Sequence, residues 1–216
     1  MTMLRSYFNG QGNKTVVRSG KILVVMLALF LHQCGGSAPD MHFYLIDYPV
    51  AMKSSGAGTT HDVVLGVNRF KVHPLYDEAR LVYRDSPYEG KYYHYHVWVT
   101  NPADMVTDKA VEHLAASGMF ASVLELPQFS VVDYTMSGTI LALEEWDEAD
   151  QWFAHVKLAV ELIDMKTETI IWQKMLERKN AVAKKTPLDV VKGLNLGIQQ
   201  CFDEVQQGID ELLSKR

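Results

Sequence analysis

The chain has 216 residues, with 21 Lys+Arg against 26 Asp+Glu and a formal net charge of −5. Four of the basic residues (Arg5, Lys14, Arg18, Lys21) and none of the acidic ones lie in residues 1–33, so the remaining 183 residues carry −9. That sign argues against nucleic acid, whose affinity rests on Lys/Arg against phosphate, and the chain has no polybasic stretch to draw it to anionic lipid.

The first feature along the chain is the ten-residue apolar run 22–31 within ILVVMLALFLHQCGG. It is too short for a mature transmembrane helix, which needs about 20 apolar residues. It has the length of a secretory h-region, commonly about 7–15 residues, and the four basic residues supply the n-region. Residues 1–33 are therefore predicted to be a signal peptide. A bacterial lipoprotein signal ends in a Leu-small-small-Cys box whose cysteine is acylated. Here Leu31-His32-Gln33-Cys34 keeps the Leu and the Cys, while His32 and Gln33 are larger than usual. Cys34 is the predicted lipidation site and residues 34–42 a lipidated tether, with an ordinary cleaved signal or an uncleaved anchor as alternatives. Gly35, rather than Asp, favours the periplasmic face of the outer membrane over inner-membrane retention in enterobacterial-type sorting. Acylation of Cys34 leaves Cys201 alone, where it reads as a small buried hydrophobe. No Cys-x-x-Cys or metal-type cysteine spacing occurs.

Residues 43–216 are long enough for one domain with a sizeable core. Strands are expected at 43–48, 63–70, 80–84 and 92–99, the last rich in aromatic and β-branched residues. A flexible loop is expected at 53–60, a bulge or close approach at Gly66, and a turn at 86–90. Pro102, Asp104 and Gly118 bracket a helix over 102–117, followed by a strand at 121–126. The segments 132–145, 152–164 and 170–177 read as a long antiparallel meander. In the middle one, Ala154, Val156, Leu158, Val160 and Leu162 alternate with polar or small residues. Residues 188–213 form an amphipathic helix with an apolar stripe from Val191 to Leu212. Gly193, Gly197 and Gly208 weaken that helix by about 1 kcal/mol each relative to Ala, and fit a close approach of another element.

His94 and His96 in Tyr92-Tyr93-His94-Tyr95-His96 fall on one face of a regular strand, and a His-x-His pair is a zinc half-site that needs a third ligand. An aromatic surface or hydrogen-bonded sheet edge is the stronger reading, because Tyr and His each offer an apolar body and a polar tip. No metal or cofactor is assigned. The acidic run Glu144-Glu145-Trp146-Asp147-Glu148 is expected at a solvated hairpin tip rather than in acid–base work. Asp77-Glu78-Ala79-Arg80 with Tyr83 and Arg84 fits either a protein interface or an edge strand with local ion pairs. No Gly-rich phosphate loop, Gly-x-Ser-x-Gly elbow or nucleophile–His arrangement is present.

The middle of the chain carries an ordered series: Tyr44-Leu45-Ile46-Asp47-Tyr48-Pro49, Leu65-Gly66-Val67, Arg69-Phe70, Tyr76-Asp77-Glu78 and Arg80-Leu81-Val82-Tyr83-Arg84. Ser86-Pro87-Tyr88-Glu89, Tyr92-Tyr93-His94-Tyr95-His96 with Trp98, Pro102, Thr107-Asp108 and Ser117-Gly118-Met119-Phe120 continue it. The series resembles the ABC-type transport auxiliary lipoprotein component family, also called PqiC-like. The resemblance implies an α/β domain with a central mixed, largely antiparallel sheet packed by helices, similar to the N-terminal domain of TolB. It implies a non-enzymatic lipoprotein, held to a membrane by its N-terminal lipid, that works with an MCE-domain protein and ABC-type transporter components in lipid transport. Tyr83, Arg84, Tyr93, His94, Tyr95, His96 and Trp98 are the expected partner-binding surface. The rival functions are a periplasmic metal-dependent hydrolase using His94 and His96, and a Tol-like envelope-integrity binding protein. Homo-oligomerisation stays open.

Overall fold

The computed structural model describes residues 39–50 and 61–215. The signal peptide, Cys34, most of the tether and the 53–60 loop lie outside the described residues.

One strand organises the sheet. β7 (Tyr134–Glu148) is flanked on one side along its whole length by β8 (Gln151–Asp164), which in turn pairs with β9 (Thr169–Ala181). These two antiparallel ladders are the predicted meander, and its turns use positive φ at Ala149 and Glu168. Along the other side of β7, one stretch of chain makes three successive parallel contacts: β2 (His61–Asn68), β3 (Lys71–Val72) and β4 (Arg80–Ser86). A 3-10 turn at Pro74–Tyr76 takes up the slack between β3 and β4, where His73-Pro74 interrupts the strand. β6 (Phe120–Leu126) pairs parallel with β2, β5 (Glu89–Trp98) pairs antiparallel with β4, and β1 (His42–Tyr44) pairs parallel with β5. The sheet is thus mixed, its longest ladders antiparallel, as the family resemblance implies.

Two expectations shift in detail. The first strand stops at Tyr44; beyond it the chain leaves the sheet, although Ile46 and Tyr48 stay buried. β4 is an interior strand between β5 and β7, not an edge.

α1 (Pro102–Ala116) starts at Asn101, whose side chain accepts from the Ala103 amide, and it ends before Gly118 at φ +66. An L side chain is strained at that φ, so glycine provides the stop. α2 (Pro187–Leu213) buries Val190, Val191, Leu194, Ile198, Cys201, Phe202, Val205 and Ile209. These pack with Ala154, Val156, Leu158, Val160 and Leu162 of β8 in one core. The α2 glycines allow that approach: a Cβ on Gly193 would meet the Ala154 Cβ at 2.6 Å, one on Gly197 the Val156 Cγ2 at 2.9 Å, and one on Gly208 the Trp172 ring at 2.8 Å. Burial pushes the Cys201 thiol up to about 12, so it behaves as a small hydrophobe. Among the described residues no helix is long and apolar enough to cross a membrane.

Candidate functional site

The chemistry-bearing side chains gather where β5, β4 and β7 run side by side, on two faces of the sheet. On the helix side, β5 carries a register shift against β4: Val82 pairs with Tyr92 but Arg80 with Val97. A bulge re-aims the side chains within it. His94 and Tyr95 are exposed, while Tyr93 and His96 meet edge to face at 5.2 Å between ring centroids. His94 and His96 therefore do not share the face that strict alternation predicts.

His96 belongs to an aromatic file. His42 stacks on it at 4.9 Å, and the Tyr44 hydroxyl lies 2.9 Å from its Nδ1. Tyr93 in turn packs on Tyr83 at 4.9 Å. Burial and the neighbouring His42 hold the His96 imidazole below its ordinary pKa. Trp98 is an interior core residue. No group of three His, Cys, Asp or Glu suited to a metal ion is gathered among the described residues.

The file ends on an acid. The Tyr93 hydroxyl donates to both oxygens of Glu145, at 3.0 and 2.9 Å. Glu145 is 1% exposed, and burial pushes its carboxyl up to about 7. The Tyr93 hydrogen bond pulls it down, and the nearby Asp147 pushes it up again. Asp147 is raised as well, by burial and by the charge of Asp85.

The opposite face carries Glu144, also 1% exposed but richly partnered. The Tyr76 hydroxyl donates to it at 2.6 Å, His155 Nδ1 lies at 2.9 Å and the Arg84 guanidinium at 3.5 Å. His155 Nε2 meets Glu177 at 2.8 Å, and Glu177 also pairs with Lys157. Burial opposes charging His155, but hydrogen bonds to Glu144 and Glu177, with their charge, outweigh it and raise its pKa. Beyond His155, the Arg84 guanidinium and the Lys179 ammonium both lie over the Trp146 ring, 4.9 and 5.5 Å from its centroid, and Lys179 reaches Glu148.

The expected solvated acidic tip is thus corrected. Only Glu148 and the turn residues Ala149 and Asp150 are exposed; Glu144 and Glu145 are interior. Sequence reasoning missed both, and with them Tyr76 and His155, because their partners come from distant segments. Of the seven residues expected at a partner surface, Tyr83, Tyr93 and His96 line the inner file, Arg84 lies across the sheet, Trp98 is core, and His94 and Tyr95 face solvent. The outer sheet face also holds an open groove of about 1210 Å³, bordered by Lys71, Leu126, Pro127, Thr139, Ala159 and Met175.

A family model described as "ABC-type transport auxiliary lipoprotein component" matches residues 44–206. Among solved structures, protein XCC0632 from Xanthomonas campestris is similar at TM-score 0.71 and 17% identity, covering 80% of this chain and 97% of that one. An uncharacterized protein follows at TM-score 0.64 and 14% identity, with coverage of 79% and 99%. The hypothetical protein CT253 from Chlamydia trachomatis is similar at TM-score 0.52 and 10% identity, with coverage of 72% and 100%. At these identities the likeness concerns the fold. A search of curated proteins gives no match.

Proposed function

We propose that this chain, which belongs to the ABC-type transport auxiliary lipoprotein component family, is a non-enzymatic adaptor that fixes transporter components at a membrane. The observation that carries the reading is the family match over residues 44–206, nearly the whole of the folded domain. In the finer reading Cys34 is acylated, residues 34–42 tether the domain to the periplasmic face of the outer membrane, and the partner is an MCE-domain protein of a lipid-transport system. His94 and Tyr95 make the partner contact, with Tyr83, Tyr93 and His96 holding the bulge from behind and Arg84 bracing β4 from the other face.

The internal chemistry supports an adaptor. Glu144, Glu145, His155 and His96 are engaged with one another or with tyrosines inside the sheet, so they serve as struts rather than as groups turned towards a substrate. A hydrolase would need His94 and His96 to converge, and the bulge sends them apart.

The test is complementation of a deletion strain, scored by survival in detergent, with the mature N-terminus read by mass spectrometry. Wild type is expected to restore resistance and to begin with a lipid-modified Cys34. Cys34→Ala, expressed to the same level, is expected to fail. Full rescue by an unacylated protein would overturn the adaptor reading.

A further inference from the structure

The start of the domain presents an apolar face of its own. Met41, Phe43 and Leu45 are 47%, 64% and 56% exposed. They alternate with Tyr44, which bonds His96, and with buried Ile46, the period of two that puts one set of side chains outward. Phe43 pairs with Val97 across β1–β5, and the half-exposed Val99 donates its amide to the Tyr44 carbonyl at 3.0 Å.

The end of the face is tied to α2. Asn195 of α2 donates to the Leu45 carbonyl at 3.2 Å and accepts the Asp47 amide at 2.6 Å, clamping the chain just after β1. The next helix residue, Leu196, is itself 47% exposed. No lysine or arginine lies between Met41 and Val50, and the exposed carboxylate that follows Leu45 along the chain, Asp47, is paired with Lys109 at 2.7 Å.

We propose that Met41, Phe43 and Leu45, with Val99 beside them, seat in the interfacial layer of the membrane that holds the N-terminal lipid. The occupant follows from reach. Six residues lie between Cys34 and Met41, and the seven Cα-to-Cα steps from one to the other extend at most about 25 Å. An apolar face tied that close to a lipid anchor meets the bilayer surface at high local concentration, and a second contact fixes the orientation that a single anchor leaves open. The inference rests on the acylation of Cys34 proposed above.

The experiment uses the full-length lipoprotein in vesicles of phosphatidylethanolamine and phosphatidylglycerol, carrying an environment-sensitive fluorophore at Phe43→Cys or, as a control, at Lys166→Cys in the exposed β8–β9 turn. Cys201 is buried and stays unlabelled. On vesicles, emission from position 43 is expected to rise about twofold and to be quenched by nitroxide-labelled lipid, as for a group at the headgroup boundary; position 166 is expected to stay unchanged. Adding Met41→Ser and Leu45→Ser is expected to remove more than half of that rise. Acylated, vesicle-bound protein with identical signals at 43 and 166 would overturn the proposal. A rise that follows protein rather than vesicle concentration would assign the face to a second copy and overturn it too. The intact mass reads the anchor separately. Protein without lipid on Cys34 overturns the anchor and the seat together, whereas acylated protein without quenching at position 43 overturns the seat alone.

Discussion

Glu144 and Glu145 are neighbours on β7 and equally buried, yet they live in opposite chemistries. Glu144 faces outward into a ring that contains an arginine, a histidine and a tyrosine. Glu145 faces the helices, takes the Tyr93 hydroxyl, and has no cation paired with it among the described residues, with a second carboxylate, Asp147, two residues on. Burial is the same cost on both sides; the supply of counter-charge decides whether a carboxylate serves as an ionic strut or keeps its proton near neutrality. The comparison also separates two ways of holding an interior acid: Glu144 by ion pairing, Glu145 by protonation.

The largest way to break the comparison is Glu144→Ala. It leaves Arg84 and His155 without their shared carboxylate and Tyr76 without its acceptor, and is expected to cost about 4 kcal/mol in urea unfolding. Glu145→Gln is expected to act in the other direction, because the amide keeps an acceptor for Tyr93 without a charge. The folded pKa of Glu145, raised from 4.5 to about 7, means the folded state binds the extra proton between those values. Stability contributed by that proton is therefore full at pH 4.5 and is lost as pH rises to about 7. Glu145→Gln should gain roughly 3 kcal/mol at pH 8 and little at pH 5.

His155 brings the opposite face into the same pH range. Its folded pKa is raised above 6.5, so its contribution is complete below 6.5 and fades as pH climbs through the folded value. His155→Gln is expected to cost about 2 kcal/mol at pH 6 and less at pH 9, again by urea unfolding. The smallest effect is expected from Tyr93→Phe, about 1 kcal/mol. Its sharper readout is a side-chain NMR titration, in which Glu145 moves to a still higher pKa once its donor is gone.

The local parts of this architecture were legible in the sequence. The alternation Ala154 to Leu162 marks β8, Pro102, Asp104 and Gly118 bracket α1, and the α2 stripe with its glycines announces a helix laid close on a sheet. Those signals depend on neighbours a few residues apart. Glu144 and Glu145 were misread because their partners arrive from β4, β5, β8 and the Pro74–Tyr76 turn, and nothing within Glu144–Glu148 records that Arg84 will land beside Trp146. The β5 bulge was invisible for the same reason: it exists only in the mismatch between β5 and β4, and it decides which of His94 and His96 reaches solvent. The edge strand was overextended because Ile46 and Tyr48 continue an apolar alternation after the chain has turned off the sheet.

The adaptor reading turns on whether the exposed bulge touches a transporter component in the cell. A photo-crosslinking residue at position 95, with position 166 as the control, tests this directly when the products are identified by mass spectrometry. The expected result is a crosslink from position 95 to an MCE-domain protein, absent from position 166 and lost with His94→Glu. Crosslinking to no transporter component from position 95, in cells where the protein is processed and acylated, would contradict it.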